Sequence, residues 1–106
     1  MVRKILTESG FIENKTFKET RFLTPPTSTY AIYLDAFIRR GADNLNLIKA
    51  HIYTIELYSY APDADAESRL ESTLDKYGIE YEKEERYWIQ SEQLYQVVYT
   101  FNFIEK

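Results

Sequence analysis

The pattern of apolar and polar positions is sharpest from Leu94 to Ile104, where Tyr95, Val97, Tyr99, Phe101 and Phe103 recur at every second residue. Only an extended strand puts such a set on one face. The other face, Leu94, Gln96, Val98, Thr100, Asn102 and Ile104, is mixed, which suits a sheet with one side against a core and the other partly wet. The same period runs through Thr29 to Ile38, with Tyr30, Ile32, Leu34 and Ala36 on one side and Ala31, Tyr33, Asp35 and Phe37 on the other. A return strand is predicted from about Leu47 to Tyr60, and Arg39-Arg40-Gly41-Ala42-Asp43-Asn44 has the composition of the turn between them. Residues 39–60 then make a long hairpin arm, because the return strand far exceeds the usual ~5–6 residues.

Helical spacing is clearest after Pro62. Asp63 is a good N-cap, and Asp65 and Glu67 place negative charge in the first turn. Ala66, Leu70, Thr73, Leu74 and Tyr77 share a face, and Gly78 ends the element. A shorter helix is predicted over Val2 to Ser9, closed by Gly10. Apolar residues are sparse from Phe11 to Phe22, and Thr24-Pro25-Pro26-Thr27-Ser28 stops regular structure, so residues 11–28 read as a connector. Ile79 and Tyr81 start a charged strand, Glu80 to Ile89, whose Glu80, Glu82, Glu84 and unpaired Lys83 suit an exposed edge; Gln90-Ser91-Glu92 turns into the final strand. The order helix, hairpin, helix, hairpin predicts one α+β domain over 1–106, with a mainly antiparallel sheet of about four strands and two helices on one face. Leu6 to Glu13 and Leu74 to Tyr81 echo each other, too faintly to establish duplication.

Composition adds an anomaly and several exclusions. Ten Tyr and six Phe in 106 residues are what paves a sheet, and Tyr also serves surfaces that are dry in an assembly and wet in a free subunit. The absence of cysteine excludes a disulfide framework, a thiolate metal site and a cysteine nucleophile. No apolar run approaches the ~18 residues of a membrane span, and Met1-Val2-Arg3-Lys4-Ile5-Leu6 lacks the apolar core of a signal peptide, so no membrane partner is expected and the producing cell's cytoplasm is the default. Residues 1–50 carry eight Lys/Arg against five Asp/Glu, and residues 51–106 carry five against twelve, together the net −4. An acidic total argues against a nucleic-acid reader. The asymmetry is able to steer a basic patch of one subunit to an acidic patch of the next, although solvated charge on a helix and two loops is the stronger reading.

The search for catalytic chemistry is negative. His51 is the only histidine, no nucleophile-elbow sequence accompanies it, and its place in a strand favours a packed or pairing side chain over a general base. Asp63, Asp65 and Glu67 alternate like calcium ligands, but the EF-hand's central glycine and terminal glutamate are missing, so helix-start acidity explains them better. Glu80, Glu82, Glu84 and Glu85 have nothing to fix a hydrolytic pair, and the three isolated glycines form no phosphate loop. No catalytic, metal or cofactor residue is expected, and none of those groups is assigned. Candidate interface residues are Arg39 and Arg40 at the hairpin tip, Tyr53, Tyr58 and Tyr60 on the return strand, and Tyr87 and Trp88, with core filling the stronger reading for Trp88.

Tyr30-Ala31-Ile32-Tyr33, His51 to Tyr58, the helix around Glu67-Ser68-Arg69-Leu70-Glu71, and Gln93 to Phe101 together resemble the tail-terminator, or tail-completion, proteins of long-tailed bacteriophages and prophages. The likeness spans about residues 24–104 and consists of strands and spacing, with no catalytic signature. It implies a structural virion protein made in the host bacterial cytoplasm, forming a ring of typically about six subunits with head-to-tail contacts. It also implies a place at the head-proximal end of the tail, with the tail-tube protein and the head connector as partners and DNA as passing cargo. A homo-oligomeric ligand-binding or regulatory domain, using the aromatic sheet face as a pocket wall, is the alternative.

Overall fold

A computed structural model describes residues 1–40 and 48–105. Its elements, in chain order, are α1 (Val2–Glu8), β1 (Phe17–Glu19), β2 (Tyr30–Arg40), β3 (Ile48–Ser59), α2 (Ala64–Lys76), β4 (Tyr81–Lys83), β5 (Tyr87–Ile89) and β6 (Leu94–Glu105). The long strands carry the architecture. β3 lies between β2 and β6 and is antiparallel to both, and the sheet order is β1-β2-β3-β6-β4 with β5 also on β6.

Strand alternation fixes what each face does. Ala31, Leu57 and Val97 form one row across the sheet, Tyr33, Ile55 and Tyr99 the next, and Asp35, Tyr53 and Phe101 the third. All of these but Asp35, which is exposed, meet Phe17, Val2, Ile5 and Leu6 of α1 and Ala66, Leu70 and Leu74 of α2 in the main core. Both helices therefore sit on one face, as the apolar stripes predict. The other face carries a small second cluster, Tyr30, Ile32 and Leu94, with Phe22 and Tyr58 packed on it.

Two helix ends explain the faint internal echo. Gly10 and Gly78 take positive φ, +99° and +66°. Each is followed by a paired hydrogen-bond pattern: Gly10 N–H donates to Thr7 O and Phe11 N–H to Leu6 O, while Gly78 N–H donates to Asp75 O and Ile79 N–H to Leu74 O. These are Schellman caps, in which a left-handed residue lets the chain satisfy the last carbonyls and turn back an apolar side chain. Shared cap chemistry accounts for the similarity of the two stretches. At its start, α2 is capped by Asp63, whose Oδ1 accepts from Ala66 N–H at 3.0 Å and whose Oδ2 accepts from the Thr29 hydroxyl at 2.6 Å.

The sheet departs from the expected design in three ways. Among the described residues it has six strands in place of about four, and it is mixed: β1, inside the predicted connector, pairs parallel with β2 through Phe17–Ala31 to Glu19–Tyr33. The expected strand from Glu80 to Ile89 is broken into β4 and β5. Lys83 faces Tyr99 and Tyr87 faces Gln96, so residues 84–86 oppose only Val97 and Val98. One extra residue is a bulge, and it reverses which side chains point to the core. Lys83 is also paired: its ammonium lies 2.9 Å from Glu67 and 2.8 Å from Glu71.

Candidate functional site

The candidate catalytic groups do not converge. His51 Nδ1 lies 2.8 Å from Asp35 Oδ1, and its ring stacks on Tyr53 at 5.1 Å and 7°. That is a pairing role within the sheet. Asp63 caps α2, Asp65 pairs with Arg69 one turn on, and Glu67 turns to β4 and β5, so the three carboxylates do not share a point. Hydrogen bonds from Thr29 and the Ala66 N–H hold the Asp63 carboxyl below the usual carboxylate range. Among the described residues no group of three or more His, Asp or Glu is arranged to hold a metal ion.

The strongest electrostatic feature fastens the broken edge to α2. Glu67 is only 7% exposed, with Arg86 Nη2 at 2.7 Å and Lys83 Nζ at 2.9 Å. Burial alone would raise its pKa, but the hydrogen bonds from Arg86 and Lys83 outweigh that and lower it. Next to it the Tyr99 hydroxyl donates to Glu71 at 2.6 Å, and burial, reinforced by that bond, pushes the phenol up.

The predicted interface residues fall into three groups. Tyr53 is 6% exposed against Phe101 and belongs to the core, so it leaves the surface set. Tyr58 is half-buried on the open face, stacked on Tyr30 at 5.2 Å; its hydroxyl donates to Glu56 and accepts from Gln96 Nε2 at 2.9 Å. Tyr60 and Tyr87 are 58% and 63% exposed, and Trp88, expected chiefly as core, remains 37% exposed while leaning on Tyr95. Because Ser59 pairs with Tyr95 and Tyr95 with Trp88, these aromatics gather at one end of the sheet. Arg39 and Arg40 end β2 at the other end; residues 41–44 of the predicted turn, and the start of the predicted return strand at Leu47, lie outside the described residues. The eleven residues of β2 from Tyr30 to Arg40 separate the two ends by roughly 33 Å.

On the open face the second cluster floors a cleft of about 390 Å³. Tyr30, Tyr58, Ile32 and Leu94 line it together with the charged Arg21 and Glu92.

Among solved structures the chain is similar to one from the virion of a native gene transfer agent (GTA) particle. The TM-score is 0.60 and the identity 12%, covering 92% of this chain and 81% of that one. The likeness shows a shared fold across nearly the whole domain. No protein-family model matches the chain, and no curated protein matches it.

Sequence reasoning did not find the Glu67 clamp or the cleft. Glu67 looked like helix-start acidity because its partners come from a strand bend that has no sequence period. Phe22 and Arg21 lay in the expected connector, which the structure folds against β2.

Proposed function

We propose that the chain is a structural, non-catalytic protein of a phage-type virion that assembles into a ring, capping the tail tube and joining it to the head connector. The observation that carries this reading is the fold held in common with a chain of a gene transfer agent virion. Fold alone leaves many functions open. The sheet narrows them: large aromatics stand exposed at one end of the strands, and β2 ends in Arg39 and Arg40 at the other. A subunit in a tail-to-head joint needs two such chemically distinct ends, one for the tube protein and one for the connector, with copies of itself at its sides. Acidic side chains, where they line the lumen, would repel the phosphates of the genome, which passes through as cargo. The site of action is the head-proximal end of the tail, after synthesis in a bacterial cytoplasm.

Disrupting the gene in the producing genome is the direct test. Filled heads unjoined to tails, and tails of irregular length, are expected; normal particles refute the proposal. A second reading is favoured by the aromatic cleft: a homo-oligomeric binding or regulatory domain for a small apolar ligand. A metabolite that raises the melting temperature of a chain that never forms rings would select it.

A further inference from the structure

The cleft on the open face continues outward onto exposed apolar surface. Tyr30, Tyr58, Gln96 and Tyr87 share one row across β2, β3, β6 and β5, and the row passes from a buried Tyr30 to a Tyr87 that is 63% exposed. On the connector side Leu23, between the lining residues Phe22 and Pro25, is 82% exposed. The cleft is not enclosed, since Arg21, Pro25, Ser91 and Glu92 line it and all four are exposed. A small molecule is held where most of its surface is buried. This is a trough, and a ligand of its size would leave Leu23 and Tyr87 in water.

Three polar groups of the trough are uncommitted. Tyr30 is 7% exposed, yet its hydroxyl has no hydrogen-bond partner among the described residues and is not sealed from solvent. What solvent reaches of Tyr30 therefore includes that hydroxyl. Burial, then the charge of Glu92, pushes the phenol up, so at neutral pH it remains a donor. Tyr58, stacked on Tyr30, is by contrast satisfied by Glu56 and Gln96. Arg21 and Glu92 carry opposite charges, and neither enters an ion pair among the described residues.

Resting on the ring reading above, we infer that the trough is a socket for an extended peptide segment of the axial neighbour, the head or tail protein that this end of the subunit meets. An apolar side chain fills the trough, a main-chain carbonyl accepts from Tyr30, and an acidic and a basic residue beside the anchor meet Arg21 and Glu92. A chain supplies all four groups within a few residues. Running on past the trough, it also covers Leu23 and Tyr87.

The test uses the full chain with the unjoined heads and tails that gene disruption leaves. p-Benzoylphenylalanine replaces Leu23, Tyr87 or, as a control just past α1, Ile12, which is 56% exposed. Each protein is added back and irradiated. The expected result is joined particles in which positions 23 and 87 crosslink to one segment of the same head or tail protein and position 12 does not. Tyr30→Phe removes a hydroxyl that holds nothing inside the fold. It should keep the wild-type Tm and lower the yield of joined particles about three- to tenfold at limiting protein, the worth of one hydrogen bond. Arg21→Glu with Glu92→Arg should lower the yield about tenfold at low salt and less at high salt. Full joining by Tyr30→Phe or by the charge reversal, or crosslinks that are missing or reach only other copies of this chain, overturns the socket and leaves the ring reading standing. So does a small molecule retained by the purified protein and lost from Tyr30→Phe in native mass spectrometry. Wild-type protein that joins no heads to tails refutes the ring reading, and the socket with it.

Discussion

Replacing Glu67 with Gln probes whether the broken edge depends on one carboxylate. Glu67 is 7% exposed and meets Arg86 at 2.7 and 3.2 Å and Lys83 at 2.9 Å. Breaking a fully buried ion pair costs about 3–5 kcal/mol, because a charge is left stranded. Here the stranded charges are cations whose side chains are 35% and 36% exposed, and Lys83 keeps Glu71, so both rehydrate in part. The loss reduces to that of charge-assisted hydrogen bonds, about 1–2 kcal/mol, or a fall in Tm of about 4–10 °C for a domain of this size. The damage should be local. Hydrogen exchange should accelerate first in residues 81–89, ahead of β3. The pH dependence has a fixed sign: a carboxyl held below its unfolded value contributes stability above that value and loses it as pH falls through the folded one. The wild-type advantage over Glu67→Gln should therefore be full at neutral pH, begin to shrink near the ordinary glutamate value of about 4.3, and be gone only below the lower folded value. Equal Tm and equal exchange at neutral pH would refute the clamp.

Gly10→Ala should cost about 1–2 kcal/mol in chemical denaturation, because φ is +99° and the added Cβ displaces the Arg69 guanidinium that bonds Ser9 O. Gly78→Ala, strained at φ +66° but facing open space, should cost less, and the reverse order would argue against the cap geometry. Alkaline titration followed by tyrosinate absorbance should leave Tyr58 and Tyr99 neutral past the ordinary tyrosine range. Burial, then hydrogen bonds to Glu56 and Glu71, raises both pKa values, so their stabilisation is complete below about pH 10 and is lost as pH climbs further. Arg39→Glu with Arg40→Glu should abolish assembly by mass photometry while the circular dichroism of the subunit stays unchanged. Tyr87→Ala with Trp88→Ala should leave Tm within about 1 kcal/mol equivalent and weaken docking to the axial partner, read as loss of co-sedimentation with tails lacking this protein.

Legibility in the sequence followed periodicity. β2, β3, β6 and α2 appear within a residue or two of their expected limits because each repeats a pattern over ten or more positions. β1 rests on one core residue, Phe17, in a polar stretch, and a three-residue strand has no period to read. The bulge at residues 84–86 was invisible for a related reason: one added residue changes no composition, yet it turns Tyr87 to the open face and Trp88 to the Tyr95 side. β3 misled in its own way. Large side chains on both its faces gave no sign of which one the helices cover, so Tyr53, in the core, and Tyr58, on the open face, looked alike.

The helices are shorter than the strands they cover. A strand of 12 residues such as β3 or β6 runs about 40 Å, whereas the 13 residues of α2 span about 20 Å. However α2 lies on the sheet, it covers about half of a strand's length, and the seven residues of α1, about 10 Å, pack beside it and hydrogen-bond to it through Ser9 and Thr73. Among the described residues, part of the β2-β3-β6 ribbon therefore extends past the helices with unpaired strand edges on both sides. A monomer that worked alone would gain stability by shortening those strands or covering them. On the ring proposed above, those strand ends are where other copies would supply the missing neighbours.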